Sequence, residues 1–495
     1  MAEPGLLAID QGTTSSRAIL FNRAGQALAT GQHELAQHYP ADGWVEHDPQ
    51  TIWQDALAAA HTALAHGPAA AIGITNQRET IVVWDRATGV PIHNAIVWQD
   101  RRTAEHCARL KQEGAEPLVQ SRTGLLLDPY FSATKLAWLL DHVEGARAAA
   151  AAGRLAAGTI DSFLLWRLTG GQVHATDATN ASRTLLCDIA TGTWDEELLR
   201  LFRIPAAILP RIVDNAGPIG HTAPGLFDTE IPITGMVGDQ QGALIGQSCL
   251  SPGMMKATYG TGCFALCHIG SQPAASRHRM LTTIAYRLAG QTAYAIEGAI
   301  FVAGAAIRWL RDGLGLIRSA KETQAMAAAT PDTHGVYLVP GFVGLGAPHW
   351  DPAARGLVAG LTFDSTAAHL VRATLESVAY QTLDLVGAIA ADSGSRPTAL
   401  RVDGGMVAND WLCQFLADIL DMPVERPAML ETTAWGAATL AGLGAGLLPG
   451  LDAAPLPPDR RFTPAMSAAT RQRLIAGWQD ALHRALTPAD TNKAR

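Results

Sequence analysis

The sequence predicts a mixed α/β protein with two related halves around a cleft, and three observations lead to this prediction. Short apolar segments typical of strands alternate with longer segments whose apolar residues recur at helical spacing. The strand–turn–strand pattern of residues 6–21 returns at 255–267. The run Ser-Cys-Leu-Ser-Pro-Gly around residue 250 contains a Pro-Gly break, so we expect domains at 1–250 and 251–495 with a ligand site between them.

The composition favours large buried cores. Of the 495 residues, 48% are hydrophobic and 17% are charged, which argues against a disordered or fibrous protein. The formal net charge of -8 gives no electrostatic reason to expect nucleic acid or an anionic membrane as a partner. The six cysteines show no paired framework, and neither a secretory signal nor a long apolar run is present. We therefore expect a soluble cytoplasmic protein with free, buried cysteines and no membrane insertion.

The first elements are predicted to be a hairpin. Residues 6–9 are an apolar strand that ends at Asp10, the sequence turns through Gln-Gly-Thr-Thr, and an apolar segment resumes at 17–21. The sequence Asn-Arg-Ala-Gly at 22–25 indicates a second turn into a third extended segment. Apolar residues at helical spacing predict helices at 51–66, 101–112, 132–142, 304–318, 366–390 and 432–446.

The first turn is a candidate phosphate site. Its glycine allows backbone N–H groups to approach an anion, and Thr13, Thr14 and Ser15 add hydroxyl donors. Arg17 adds a positive charge, and Asp10 at the strand end suits a Mg²⁺ ion. A tight hairpin rich in turn-forming residues explains this motif equally well when it is taken alone. The sequence contains no Walker A motif, which disfavours a P-loop fold.

Two further strand ends carry charged side chains. Arg78 and Glu79 follow the strand Ile-Gly-Ile-Thr-Asn-Gln; arginine only donates hydrogen bonds and glutamate accepts them, so the pair suits neighbouring hydroxyl groups. A surface ion pair is the alternative. Asp239 ends the apolar strand at 232–239 beside Gln240, where its carboxylate is placed either to take a proton or to cap the helix that follows.

Two glycine-rich turns in the second half complete the predicted cleft. The turn Tyr-Gly-Thr-Gly, with Gly260 and Thr261, would hold phosphates from the side opposite to the first turn. Gly404 and Gly405 lack side chains and would let a flat adenine or ribose lie against the backbone. Each glycine pair alone is more often a simple turn, but three such turns at strand ends together favour a nucleotide site.

Motifs along nearly the whole chain carry a family resemblance. They are AIDQGTTSSR (8–17), GWVEHDP (43–49), ITNQRET (74–80), NAIVWQDRRT (94–103), DPYFSATK (128–135), TNASRT (179–184), GDQQGAL (238–244), TYGTGCF (258–264), GLGAPHWDP (344–352), RATLES (372–377) and RVDGGMVAN (401–409). In these motifs the chain resembles the FGGY family of carbohydrate kinases, within the actin/Hsp70-type ATPase superfamily, and most closely its glycerol-phosphorylating branch. The resemblance implies an α/β fold of two ribonuclease-H-like (actin-like ATPase) domains around a central cleft.

The resemblance also implies an activity and its residues. The activity is ATP-dependent, Mg²⁺-assisted phosphorylation of glycerol to sn-glycerol 3-phosphate by in-line transfer, in glycerol catabolism, with Asp239 as general base. The implied acceptor site consists of Arg78, Glu79, Trp98, Tyr130, Asp239, Gln240 and Phe264. The implied nucleotide site consists of Thr13, Thr14, Ser15, Arg17, Gly260, Thr261, Gly304, Arg308, Gly405 and Asn409, and the implied metal ligands are Asp10 and Asp239. Without the resemblance, Trp98 and Phe264 would be interpreted as core residues.

The sequence departs from the family at two places. Arg308 stands where relatives often carry glutamine near the adenine, and Glu230 stands where many bacterial relatives carry an arginine that binds a sugar bisphosphate. An acidic side chain repels phosphate, so we expect weak or no inhibition by fructose 1,6-bisphosphate. Relatives often form homodimers or homotetramers. The alternative functions are a kinase of the same family for erythritol or xylulose, and a non-enzymatic actin-like nucleotide switch.

Overall fold

The structure is a computed structural model that describes residues 3–453 and 456–488. Its strands, numbered along the chain, are β1 (Gly5–Gln11), β2 (Ser15–Phe21), β3 (Ala27–Glu34), β4 (Glu46–His47), β5 (Ala69–Asn76), β6 (Ile81–Asp85), β7 (Ala95–Ile96), β8 (Leu155–Thr159), β9 (Ala175–Asp177), β10 (Cys187–Asp188), β11 (Thr193–Trp194), β12 (Arg211–Val213), β13 (Ala216–His221), β14 (Pro232–Gly238), β15 (Met254–Tyr259), β16 (Cys263–Gly270), β17 (Leu281–Leu288), β18 (Gln291–Ile300), β19 (Tyr337–Val339), β20 (Leu357–Ala359), β21 (Ala399–Asp403), β22 (Val424–Pro427) and β23 (Pro458–Phe462). Its α-helices are α1 (Pro49–Leu64), α2 (Ala104–Gln112), α3 (Glu116–Thr123), α4 (Ser132–His142), α5 (Ala146–Ala151), α6 (Ile160–Leu168), α7 (Ala178–Ala181), α8 (Glu196–Leu201), α9 (Asp239–Gly246), α10 (Gly304–Asp312), α11 (Glu322–Ala329), α12 (Ala367–Ser393), α13 (Asp410–Leu420), α14 (Thr432–Gly444) and α15 (Ala468–Ala485).

The first sheet contains the predicted hairpin and has the strand order β13-β14-β5-β1-β2-β3. Strands β1, β2 and β3 are antiparallel neighbours, whereas β5 and β14 continue the sheet in parallel beside β1. Successive side chains of a strand point to opposite faces, so β1 contributes to two cores. Leu7 and Ile9 share a core with α1, and Leu6 and Ala8 share the other with α14. Both faces of this sheet are therefore covered.

The second sheet repeats this arrangement, with the order β17-β18-β16-β15-β21-β22-β23. Here β15, β16 and β18 are the antiparallel neighbours, and β21 and β22 continue in parallel beside β15. Each sheet also ends in an antiparallel edge strand, β13 in the first and β23 in the second. The repeated sequence pattern at 6–21 and 255–267 thus corresponds to the same pair of strands in the two sheets.

Most predicted helices lie close to their observed positions, and one ends earlier than predicted. The helix expected at 304–318 ends at Asp312. Gly313 and Gly315 follow, and Gly315 has a φ of 66°, a left-handed conformation that favours glycine and ends a helix. The other expected helices correspond to α1, α2, α4, α12 and α14.

Helix α14 belongs to the second half of the sequence but packs on the first sheet. Its residues Trp435 and Ala438 share a core with Leu6 and Phe21. The helix also approaches α9 closely, because a Cβ atom at Gly436 would lie 1.9 Å from a carbonyl oxygen of α9. If the chain is divided at residue 250, as the sequence predicts, helix α14 belongs to the second half but packs on the first half.

All six cysteines are buried and free, as the sequence predicts. Within residues 3–453 and 456–488, no helix is both long enough and apolar enough to cross a membrane.

Candidate functional site

The candidate site lies where the carboxyl ends of the central strands of both sheets face each other. Asp10 lies near the end of β1, Arg78 follows β5, and Asp239 follows β14. These three strands are parallel neighbours, so their ends meet at one edge of the first sheet. Arg78 forms hydrogen bonds with Glu297 on β18 of the second sheet, so side chains of the two sheets meet at this edge.

Four buried charged side chains form a closed arrangement that we call the charge ring: Arg78, Glu79, Arg183 and Glu297. Glu297 accepts hydrogen bonds from Arg78 at 2.6 and 3.1 Å and from Arg183 at 2.9 Å. Glu79 accepts from Arg183 at 2.6 Å, and its carboxylate lies 3.9 Å from Nε of Arg78. Each of the four side chains is at most 2% exposed. The ring fixes the positions of the predicted acceptor residues Arg78 and Glu79.

The pKa of Glu297 and the backbone conformation of Glu79 both indicate that the charge ring is a constrained site. Burial alone would raise the pKa of Glu297, but Arg183 and Arg78 together lower it to about 2, so this carboxylate stays ionised. Glu79 has a φ of 61° although it is not glycine. Such left-handed residues cost of order 1–3 kcal/mol and concentrate at functional sites.

Asp239 lies beside the ring at the first residue of α9. Its Oδ1 is 3.1 Å from Nε of Arg78, and 30% of its side chain is exposed to the cleft. The N-cap position of α9 belongs to Gly238, and Asp239 accepts a hydrogen bond from the backbone N–H of Gln240 at 2.7 Å. Burial raises the pKa of Asp239, and Arg78 opposes that rise. An oriented carboxylate that is open to the cleft suits proton abstraction.

Three aromatic side chains lie beside the charge ring, and the first contact is that of Tyr130, whose ring centroid lies 5.6 Å from the guanidinium carbon of Arg183. The ring centroid of Trp98 lies 5.6 Å from that of Tyr130 and 5.9 Å from that of Phe264, both in edge-on arrangements. Nε1 of Trp98 donates to Oγ1 of Thr13 at 3.0 Å. All three rings are only partly buried, unlike core residues. They form an apolar surface that reaches from the acceptor residues to the first turn.

The first turn carries a smaller net positive charge than its sequence indicates. Arg17 donates to Asp10 at 2.9 Å and to Glu431 at 2.7 Å, so two carboxylates share its charge. Burial raises the pKa of Asp10, and Arg17 opposes that rise. Thr14 is exposed, whereas Thr13 and Ser15 are partly buried. The donors available to an anion are therefore the hydroxyl and backbone N–H groups of this turn.

The second turn packs against the start of α10. A Cβ atom at Gly304 would lie 2.5 Å from the carbonyl oxygen of Gly260, so only glycine fits at Gly304 without movement. Arg308 of α10 donates to Oγ1 of Thr261 at 3.1 Å. Thr261 and Arg308 are exposed at the cleft. The structure thus brings these four predicted nucleotide residues together.

The third turn offers open space next to one capping residue. Gly405 is exposed, and a Cβ atom added there would meet no atom within 4 Å. Asn409 accepts from the backbone N–H of Leu412 at 3.1 Å, which caps α13, and donates to Oγ1 of Thr323 at 3.2 Å. The side chain of Asn409 is therefore already engaged, while Gly405 leaves room for a flat group.

Sequence reasoning missed several charged side chains of the site. Lys256 and Glu297 each stand alone among apolar strand residues, and this isolation is the signal that would have found them, because a buried charge needs a partner. Arg183 lies in the motif at 179–184, to which sequence analysis gave no role. Glu431 bonds to a residue 414 positions away, which no local pattern reveals.

Comparisons with known proteins cover nearly the whole chain. Residues 6–246 match the N-terminal domain of the FGGY family of carbohydrate kinases, and residues 255–445 match its C-terminal domain. The chain is 63% identical over 490 residues to a glycerol kinase of Rhodospirillum centenum, covering 97% of this chain and 98% of that protein. It is 60% identical over 490 residues to a glycerol kinase of Gluconobacter oxydans, covering 98% of this chain and 96% of that protein.

Solved structures give the same result. The chain superimposes on the glycerol kinase of Plasmodium falciparum, whose crystal structure contains ADP, with a TM-score of 0.94 and 34% identity, covering 99% of this chain and 100% of that chain. A xylulose kinase of Rhodospirillum rubrum shares the fold with a TM-score of 0.85 at 24% identity, covering 97% of this chain and 99% of that chain. The chain belongs to the FGGY family of carbohydrate kinases and has its two-domain fold.

Proposed function

We propose that this chain is a cytoplasmic kinase that transfers the γ-phosphoryl group of ATP to glycerol, giving sn-glycerol 3-phosphate in glycerol catabolism. The observation that carries the proposal is the convergence of Arg78, Glu79 and Asp239 beside the rings of Trp98 and Phe264. The charged groups suit adjacent hydroxyls, and the rings suit a short carbon chain. The chain is 63% and 60% identical to two glycerol kinases over nearly its full length, which supports glycerol over a larger acceptor.

In this proposal the residues mainly position the reactants. Arg78 donates to an acceptor oxygen and Glu79 accepts from a hydroxyl, each held by the charge ring. Asp239 takes the proton of the hydroxyl that attacks the γ-phosphorus. Such in-line transfer depends on alignment and charge neutralisation more than on covalent chemistry by the protein. Closure of the two halves over the reactants would exclude water and so limit hydrolysis.

The nucleotide and its metal ion fit the residues present. The space beside Gly405 suits the adenosine portion, and the turns that contain Gly260 and Thr14 suit the phosphates. Asp10 near the end of β1 and Asp239 just after β14 lie at the same edge of the first sheet, on either side of β5, and these two carboxylates would be the ligands of Mg²⁺. When bound, Mg²⁺ neutralises charge on the phosphate oxygens.

The test is ADP release from MgATP, with glycerol compared against erythritol, xylulose, gluconate and no acceptor. We expect strong stimulation by glycerol alone. Preference for another acceptor would keep the kinase class and the nucleotide site but overturn the interpretation of the acceptor pocket. ATP hydrolysis that is indifferent to every acceptor would favour the nucleotide-switch alternative.

A further inference from the structure

Lys256 is a buried cation on the side of β15 that faces the cleft. Met255, Ala257 and Tyr259 of this strand lie in the apolar core, whereas Lys256 and Thr258 point to the opposite face. Lys256 is 0% exposed. Strand pairing places Glu297 on the same face, because Lys256 pairs with Leu266 and Leu266 with Glu297.

The ammonium group of Lys256 has only uncharged hydrogen-bond partners. Its Nζ donates to Oε1 of Gln240 and to Oγ1 of Thr258, the latter at 3.1 Å. Among the residues that the structure describes, no carboxylate lies within the 4.0 Å of an ion pair with it. Burial lowers the pKa of Lys256, and the more distant Asp403 opposes that change.

The carboxylates around Lys256 are Glu297, Asp239 and Asp403, and each bonds to other groups, although Oδ1 of Asp403 accepts no hydrogen bond from the described residues. Glu297 is bonded to Arg78 and Arg183, and Asp403 accepts from Gln247 at 2.7 Å and Thr432 at 2.5 Å. A buried ammonium is costly unless it is paired, and it has three N–H donors, of which two are used. The third donor therefore lacks an acceptor among the described residues, which is the state expected of a group that meets an anion during function.

The position of Lys256 identifies the anion. One of its partners, Gln240, adjoins the proposed base Asp239, and the other, Thr258, lies two positions before Gly260 of the phosphate turn. The ammonium thus lies between the acceptor end and the phosphate end of the cleft. We propose that Lys256 is a further catalytic residue, which donates its third hydrogen bond to an oxygen of the phosphoryl group in transfer.

This inference rests on the proposed function and adds one contact to it. A bond forms between the acceptor oxygen and the γ-phosphorus, and the bond from that phosphorus to the β–γ bridging oxygen breaks, so its electron pair leaves on ADP. The hydroxyl proton goes to Asp239, and Lys256 keeps its own protons throughout. A fixed positive charge at the transferring group stabilises the transition state more than the ground state, and loss of one such donor typically lowers kcat about 10²–10³-fold.

The alternative is that Lys256 only positions Gln240. In that case Lys256→Met would raise the KM for glycerol, Gln240→Leu would do the same, and the double variant would be no worse than either single one. A catalytic role predicts instead that Lys256→Met lowers kcat about 10²–10³-fold with little change in either KM. Lys256→Gln retains two hydrogen-bonding groups and is the second variant if the methionine variant does not fold.

The deciding measurement is binding of the transition-state mimic formed by MgADP, aluminium fluoride and glycerol. We expect Lys256→Met to weaken this binding by about the factor lost in kcat, while MgADP alone binds as it does to the wild type. The matched control is Glu376→Gln, because Glu376 is also a buried charged residue but lies on α12, where it bonds to Arg372 and Tyr380, to which the proposed site gives no role. This control should lower thermal stability similarly without weakening the mimic.

The outcomes of these measurements distinguish a catalytic role of Lys256 from a positioning role and from failure of the proposed function. Unchanged kcat and unchanged mimic binding in the Lys256 variants of an active wild type would overturn the catalytic role and leave the proposed function standing. Equal KM effects of Lys256→Met and Gln240→Leu would assign Lys256 to positioning. A wild type that glycerol does not stimulate would overturn the proposed function, and this inference with it.

Discussion

At the scale of single residues, the two adjacent side chains that we propose bind the acceptor are held by partners that are distant in sequence. Arg78 and Glu79 lie 3.9 Å apart at their closest charged atoms. The shorter bonds are those of Arg78 with Glu297, 219 residues away, and of Glu79 with Arg183, 104 residues away. The sequence therefore identifies Arg78 and Glu79 as candidate acceptor residues, but it does not identify the side chains that orient them, because neither partner is local in sequence.

Replacing Glu297 with Gln tests this orientation. The variant keeps the side-chain shape but removes the charge that two arginines share, and loss of one partner of a buried charge pair costs about 2–5 kcal/mol. We expect the KM for glycerol to rise at least about tenfold, since each 1.4 kcal/mol corresponds to a factor of ten. The KM for ATP should change little, and steady-state kinetics with each substrate varied measures both.

Glu376 provides the matched control for that variant. It is also a buried glutamate bound to an arginine, accepting from Arg372 at 2.8 Å and from Tyr380 at 2.9 Å, but it lies on α12. Glu376→Gln should lower thermal stability without raising the KM for glycerol. An unchanged KM in Glu297→Gln would show that the ring does not orient Arg78.

Asp239 provides the second prediction at this scale. Asp239→Asn keeps the size of the side chain and removes the proposed general base, and such a base typically contributes about 10²–10⁴-fold. We expect kcat to fall by a factor in that range while the KM for glycerol changes little. Single-turnover measurement of phosphoryl transfer checks the chemical step directly. A kcat within a few-fold of the wild type would remove Asp239 from the role of general base.

At the scale of elements, the packing of α14 against α9 fixes the position of α9, whose first residue is Asp239. A Cβ atom at Gly436 would lie 1.9 Å from the carbonyl oxygen of Gly242, and one at Gly246 would lie 1.9 Å from that of Thr432. Both contacts involve backbone atoms, which cannot rotate away. Apolar periodicity predicts α14 as a helix, but a helical pattern does not say which sheet the helix covers.

Gly436→Ala tests this packing. An added methyl group would push α9 and α14 apart, and overpacking typically costs 1–3 kcal/mol or more. We expect a lower free energy of unfolding and a lower kcat, because the start of α9 moves with the helix. Denaturant unfolding and glycerol-dependent turnover measure the two effects.

Gly387→Ala on α12 is the matched control for the glycine variant. This glycine is exposed in a helix, and a Cβ atom there would meet nothing within 4 Å. Alanine is preferred over glycine in helices by up to about 1 kcal/mol, so this variant should be slightly more stable and fully active. If Gly436→Ala behaved like Gly387→Ala, the close approach of α9 and α14 would not constrain the site.

At the scale of the whole molecule, the two sheets share one order of strands around the cleft. The echo between residues 6–21 and 255–267 was enough to predict two related halves, because the central hairpin of each sheet is local in sequence. The ion pair between Arg17 and Glu431 and the placement of α14 were not predictable, since both join segments about 400 residues apart. Sequence reasoning therefore proposed turn and strand-end residues, whereas it missed the charged side chains that bond to them from distant parts of the chain.

Folding also buries a pair of carboxyl groups, and this makes the stability of the whole chain depend on pH. Asp161 is fully buried and accepts hydrogen bonds from the hydroxyls of Thr159 and Thr176. Burial and the charge of Asp177 raise the pKa of Asp161 from 3.8 to about 7. Between these values the folded chain binds more protons than the unfolded chain, so the free energy of unfolding falls as the pH rises through this window.

Asp161→Asn should remove this dependence, because asparagine does not titrate and its amide retains hydrogen bonds with the two threonines. We expect the wild type to lose stability relative to the variant as the pH rises from about 5 to about 8, measured by urea unfolding across this range. Asp85→Asn is the control, since hydrogen bonds from Thr88 lower the pKa of Asp85 and keep it ionised in both states above pH 5. The difference between that control and the wild type should stay constant with pH. Parallel pH profiles for Asp161→Asn and the wild type would mean that Asp161 is already ionised in the folded chain at pH 5, against the raised pKa that its burial implies.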